Sequence, residues 1–162
     1  MSHEQLWMHD QQGCTRPAAN EEILQAARDV LNRKVPRGTS LRSPQLVKDF
    51  LTVKLGDLEH EIFCVLLLDK RQRLIEYVEL FRGTIDGASV YPREVVKLAL
   101  AKNAAAVVLA HPHPSGIAEP SQADELITSR LREALGLVDI QILDHLIVAG
   151  GSVMSFAESG LI

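Results

Sequence analysis

The chain has 162 residues, enough for one domain with a full hydrophobic core and short for two. Hydrophobic residues make up 46% and charged residues 23%, near globular averages, so a disordered or fibrous chain is not indicated. The net charge of -4 gives no overall basic field for a nucleic-acid backbone, and no apolar run approaches the roughly 20 residues that span a bilayer.

Residues 1–19 are polar, lack periodicity and contain no export-type apolar run, and they read as a flexible tail. Cys14 in that tail and Cys64 in an apolar run are unlike in setting, which favours reduced thiols in a cytoplasmic protein over a disulfide framework. Residues 20–42 read as a helix and connector. Asn20 is the cap, Ile23, Ala27, Val30 and Leu31 share one face, and Pro36 and Gly38 break the pattern. Residues 43–162 form the main domain. Ser43-Pro44 supplies a cap and a first-turn proline for a helix with an apolar stripe of Leu46, Val47, Phe50 and Leu51, closed by Gly56-Asp57.

Glu61 to Leu68 is apolar on both alternating faces after its first residue, the pattern of a strand covered on both sides. Residues 69–73 are a charged turn, and Leu74 to Phe81 is the partner strand. Gly83 and Gly87 bracket a further turn, and Ser89-Val90-Tyr91 reads as a short strand. Pro92 opens a helix with Val95, Val96, Ala99 and Leu100 inward. Ala104 to Ala110 is a second buried strand with His111 at its carboxyl end. The proline-rich segment from Pro112 to Pro120 is irregular. A helix from Ser121 to about Leu135 turns Leu126, Ile127, Leu131 and Ala134 inward, and Val138–Leu143 and Leu146–Val148 are two last strands. Helices and strands interleave, with hairpins among them, so the fold class is α/β: a mixed sheet flanked by helices.

The chemistry is concentrated in His111-Pro-His-Pro-Ser-Gly116, Ser121 and Asp124. In extended backbone, residues two apart share a side, so His111 and His113 converge. Ser121 and Asp124 lie on one face of the helix that follows. Two imidazoles and a carboxylate suit zinc and leave a fourth tetrahedral position open. The competing reading of Ser121 and Asp124 is a helix-capping pair. Glu61 is the candidate base for hydrolysis, with an exposed strand entrance as the alternative. His145 beside Asp144 is read as structural, since neighbours on a strand face opposite ways. Ser115 is read as tying its turn, and Lys70, Arg71 and Arg73 as a solvated hairpin tip.

The run His-x-His-Pro-Ser-Gly followed by Pro120-Ser121-x-x-Asp124 resembles the JAMM metal motif of the JAB/MPN superfamily, and within it the RadC family. Gly83-Thr84, Tyr91-Pro-Arg-Glu-Val95 and Leu143-Asp-His-Leu-Ile147 resemble further signatures of that family, and the likeness covers about Ser43 to Ile162. The resemblance implies a three-layer JAB/MPN domain and one zinc ion per chain on His111, His113 and Asp124. It implies Glu61 as acid/base and Ser121 as the hydroxyl that steadies the carbonyl oxygen. Pro112 departs from the asparagine usual there, and the region before residue 43 lacks a helix-hairpin-helix pattern, as in a short form. The expected function is a zinc hydrolase of peptide or isopeptide bonds with a protein or peptide substrate, cytoplasmic, not membrane-bound and without direct nucleic-acid binding. The alternative is a DNA repair or recombination accessory protein in which the metal site is structural or vestigial.

Overall fold

The computed structural model describes residues 5–83 and 89–162. They fall into two compact units, residues 1–34 and 35–162. In the first, strand β1 (Trp7–His9) pairs antiparallel with β2 (Thr15–Pro17), and helix α1 spans Asn20–Lys34. The segment read as a tail therefore contains a hairpin. Its turn is held by the Asp10 carboxylate, which accepts from the main-chain N–H groups of Gln12 and Cys14. Three-residue strands of mixed polarity leave too little alternation to be seen in sequence. Arg16 forks onto the Glu22 carboxylate at 2.8 and 2.5 Å, joining the hairpin to the first turn of α1. No residue of α1 is buried, although an apolar face was expected there.

The second unit begins before residue 43 because residues 38–41 lie along the tip of the next hairpin. Gly38 donates to the Leu74 carbonyl, Leu41 to that of Gln72, and Leu74 to that of Thr39. Helix α2 (Pro44–Leu55) starts as expected, with the Ser43 side chain accepting from the Leu46 N–H. A five-stranded sheet follows in the order β4-β3-β5-β6-β7. Its strands are β3 (Ile62–Leu68), β4 (Leu74–Arg82), β5 (Ala106–Pro112), β6 (Gln141–Ala149) and β7 (Ser152–Ser155). Only β5 and β6 run parallel. Helix α3 (Pro92–Ala101) and helix α4 (Gln122–Gly136) complete the described elements.

The alternation of β3 divides the core into two layers. Phe63, Val65 and Leu67 face α3 and α4, packing with Val95, Ala99, Leu131 and Leu135. Cys64, Leu66 and Leu68 take the opposite face, the side of α2, whose Val47, Phe50, Leu51 and Leu55 are buried. Cys64 shares a 3.2 Å hydrogen bond with the Tyr77 hydroxyl, and the Tyr77 ring meets Phe50 edge-on at 5.5 Å. Burial pushes the Cys64 thiol up to about 12. All residues of β3 and β5 are buried, as strands covered on both faces require. The result is the expected α/β architecture of helix, sheet and helices.

Several boundaries differ from expectation. Ser89–Tyr91 is not a strand; it is the irregular lead into α3, and Tyr91 occupies the helix cap position. The turn expected between Gly83 and Gly87 lies largely outside the described residues. Leu100 and Leu126 point outward, 53% and 62% exposed. The two strands expected over 138–148 are one strand, β6, interrupted by a bulge: Val107 pairs with Ile142 and Val108 with Asp144, so Leu143 is the extra residue. Strand β7 was not anticipated. Pro112 ends β5 without disturbing it. His113 donates to the Val148 carbonyl on the β6 side, so the missing N–H of Pro112 falls toward β3, whose pairing with β5 ends at Cys64–Ala110. No helix among the described residues is long and apolar enough to cross a membrane.

The end of α2 meets the β6–β7 turn at Gly56. A Cβ there would stand 2.5 Å from the Thr52 carbonyl oxygen and 2.7 Å from that of Gly150, both main-chain atoms that cannot swing aside. Gly56→Ala is expected to cost about 1–3 kcal/mol through this overlap. A lowered denaturant midpoint with an unchanged slope would show it, and an unchanged midpoint would contradict it.

Candidate metal centre

The carboxyl ends of the parallel strands β5 and β6 are where side chains can leave a covered sheet and still face an open crevice. His111 occupies that position on β5, and His113 follows it on the same side of the chain. After His113 the backbone turns: Gly116 donates to the His113 carbonyl at 3.1 Å and takes φ +81, a conformation that suits glycine. The Ser115 hydroxyl accepts from the Ile117 N–H, tying the turn as expected. The chain then returns over the histidines and enters α4 at Ser121.

That helix start is a capping box. Ser121 Oγ accepts from the Asp124 N–H at 3.1 Å, and the Asp124 carboxylate accepts from the Ser121 N–H at 2.7 Å. The same carboxylate reaches the histidines, with Oδ1 3.0 Å from His111 Nε2 and Oδ2 3.3 Å from His113 Nε2. The two Nε2 atoms are 3.0 Å apart. The capping and the metal-ligand readings of Asp124 therefore describe one arrangement.

The geometry fits a small divalent cation. Among the described residues, His111, His113 and Asp124 are the group of metal-ligating type brought together, with ligand atoms within 4.8 Å of one another. A tetrahedral zinc bound at about 2.0–2.2 Å separates its ligand atoms by about 3.3–3.6 Å, so the two Nε2 atoms must spread slightly and Asp124, which turns a different oxygen to each histidine, must bring one oxygen to the metal. His113 Nδ1 lies 3.0 Å from the Ile117 carbonyl, to which it donates, leaving its Nε2 lone pair toward Asp124. The side chains of His111, His113 and Asp124 are only 7%, 15% and 15% exposed. Burial opposes ionisation of Asp124, but its two imidazole neighbours and the Ser121 N–H outweigh it and hold the carboxyl well below the usual range. The Asp124 carboxylate beside it raises His113 against its burial.

Beneath His111 lies a residue whose role the sequence did not reveal. His145 is fully buried, with its Nε2 2.9 Å from His111 Nδ1 and its Nδ1 2.6 Å from Thr128 Oγ1. Burial pushes its pKa well down, and the neighbouring His111 adds to this. Asp144 takes no part in the site. Its carboxylate accepts from the Ser155 hydroxyl and from the N–H groups of His145 and Ala157. The adjacent pair is thus divided between the two faces, as expected. The bulge at Leu143 makes His145 face the site: before it Ile142 shares the side of Val107, and after it His145 shares the side of Leu109.

A cleft of about 850 Å³ opens over the cluster, lined by Glu61, Phe63, Val90, Ser121, Leu126, Ile127 and Arg130 among others. Glu61 and Ser121 are thus both brought to the wall of the cleft that His111, His113 and Asp124 border. Glu61 sits half-buried just before β3, its carbonyl accepting from the Gly83 N–H. The Ser121 hydroxyl donates to Asp124 Oδ2 at 2.7 Å. Lys70, Arg71 and Arg73 lie at the opposite end of the sheet, where they border a smaller hollow of about 430 Å³.

An α/β domain of three layers with a His-His-Asp cluster at a sheet's carboxyl edge is the architecture expected of a JAB-type domain. The chain belongs to the RadC family: the profile of the RadC-like JAB domain matches residues 41–161. It is 56% identical to a UPF0758 protein of Marinobacter nauticus over 149 residues, which are 92% of this chain and 66% of the relative. It is 59% identical to a UPF0758 protein of Cellvibrio japonicus over 140 residues, 86% of this chain and 62% of the relative. The chain thus spans slightly less than two thirds of these two relatives.

Proposed function

We propose that this domain is a zinc-dependent hydrolase of amide bonds, with a peptide or isopeptide substrate. The observation that carries the reading is the convergence of His111, His113 and Asp124 beneath a cleft that Glu61 and Ser121 also line. Zinc on those three ligands would supply Lewis acidity, polarising a carbonyl and acidifying water toward a pKa of about 7. Glu61 takes the proton of the attacking water and passes it to the leaving nitrogen. The Ser121 hydroxyl, turning its proton from Asp124 Oδ2, donates to the oxygen that gains charge in the transition state, a contribution of about 3 kcal/mol for donors of this kind. Phe63, Val90, Leu126 and Ile127 give the cleft an apolar wall for a substrate side chain, and Arg130 gives it a cation.

Protein isolated without chelator is expected to hold about one zinc per chain, matching three ligands and one open position. Asp124→Ala is expected to weaken binding by removing the charged ligand. Elemental analysis and titration measure both, and wild-type protein without zinc affinity would refute the assignment.

Glu61→Gln is expected to keep the metal and lose hydrolysis, since the amide is nearly the same size but cannot accept the proton. The measurement is zinc content beside cleavage of a peptide and isopeptide panel. A variant that remains active, or one that loses its zinc, would assign Glu61 a different part.

Direct DNA binding is not part of this reading. Of the three basic residues at the hairpin tip, Arg73 is paired with Asp69 at 2.7 Å, leaving Lys70 and Arg71, enough for about two phosphates and too few for tight binding at physiological salt. Fluorescence anisotropy in about 150 mM salt is expected to show no submicromolar binding to duplex or single-stranded DNA. Tight, salt-sensitive binding lost on neutralising Lys70, Arg71 and Arg73 would favour the repair-accessory function instead.

A further inference from the structure

Thr128 carries a single hydroxyl proton and has two neighbours for its Oγ1. The main-chain carbonyl of Asp124 lies at 2.6 Å and His145 Nδ1 also at 2.6 Å. A carbonyl oxygen can only accept, so the hydroxyl proton points to Asp124 and His145 Nδ1 must donate. His145 is fully buried, with its ring 4.8 Å from that of Phe156 and 5.6 Å from that of Phe63, and neither hydrogen-bond partner of the ring is a carboxylate. It is therefore neutral, and with its proton on Nδ1 it offers a lone pair at Nε2. That lone pair lies 2.9 Å from His111 Nδ1, which then donates. In the neutral ring the remaining lone pair of His111 is then on Nε2, the atom that faces Asp124 and His113.

We propose that Thr128 and His145 form a one-way hydrogen-bond relay that locks His111 in the tautomer whose Nε2 can bind a metal. His145 is thereby a positioning residue for the metal ligand, and Thr128 is the residue that sets the direction. The relay also ties together two of the three ligands. Its first bond ends on the main chain of Asp124 in α4 and its last on the ring of His111 in β5, so helix and strand are held at the spacing the cluster needs. A histidine accepting from a ligand histidine does the work that a carboxylate or carbonyl usually does in the outer shell of a metal site. An extra charge in this apolar layer is avoided. The relay's part in metal binding rests on the zinc reading above; its proton order does not.

The test uses the whole chain and three variants: Thr128→Val, which keeps the shape and removes the hydroxyl; His145→Leu, which removes the acceptor; and His145→Gln, whose amide oxygen can accept from His111 Nδ1. Imidazole nitrogen NMR on the metal-free wild type at about pH 8, above the ordinary histidine range, is expected to show the proton of His111 on Nδ1. In Thr128→Val that single tautomer is expected to be lost. Zinc affinity, measured by competition with a chromophoric chelator, is expected to fall about 10–100-fold in Thr128→Val and His145→Leu. His145→Gln is expected to restore most of it, which a purely space-filling role for His145 would not predict. The relay is overturned if His111 of the wild type carries its proton on Nε2, or if Thr128→Val and His145→Leu bind zinc like the wild type. Should the wild type take up no zinc, the hydrolase reading fails, and the His111 tautomer still decides the relay.

Discussion

His111 is a polar side chain in a strand covered on both faces, and that constraint organises much of the surrounding structure. A buried imidazole without partners would cost several kcal/mol, so both of its ring nitrogens must be satisfied from neighbouring elements. Nδ1 is met from β6 by His145, and Nε2 from α4 by Asp124 and from the following loop by His113. Three separate stretches of chain are therefore fixed around one ring. Among the described residues every buried side-chain nitrogen or oxygen has a polar neighbour within hydrogen-bond distance.

The double use of Ser121 and Asp124 follows from the same economy of partners. A helix N-terminus leaves main-chain N–H groups without acceptors, and Ser121 Oγ takes that of Asp124. The Asp124 carboxylate returns to the Ser121 N–H, which fixes the side chain that faces the histidines. Helix start and ligand geometry are thus one structural fact. An Asp124 substitution disturbs both, whereas Glu61 stands apart from the cap.

Much of this was legible in the sequence because short-range rules decide it. The Ser43-Pro44 start, the uniformly apolar strand through Ile62–Leu68 and the shared side of His111 and His113 follow from cap chemistry and from the two-residue period. Where the reading failed, long-range packing had the decision. Leu143 interrupts the alternation of β6, so one strand looked like two, and only pairing with β5 shows the bulge. That phase change also concealed His145, whose direction cannot be known until the bulge is. Leu126 carries an apolar side chain outward to line the cleft, where periodicity alone would bury it. The hairpin over residues 7–17 depends on Asp10 and Arg16 contacts that leave no periodic trace.

The contact of Gly56 with the Gly150 carbonyl, and the ion pair of Lys48 with Glu158 at 2.8 Å, bear on the order in which the domain forms. The His111–His145 bond joins residues 34 apart, whereas Lys48 and Glu158 are 110 apart. On loop-closure entropy alone the longer closure is about 1 kcal/mol harder. The segment that carries the His-His-Asp cluster is consequently the more local part of the fold, and the docking of β7 beside α2 is its most distant closure. During synthesis α2 precedes the β6–β7 turn, so its end stays uncovered until that turn has formed.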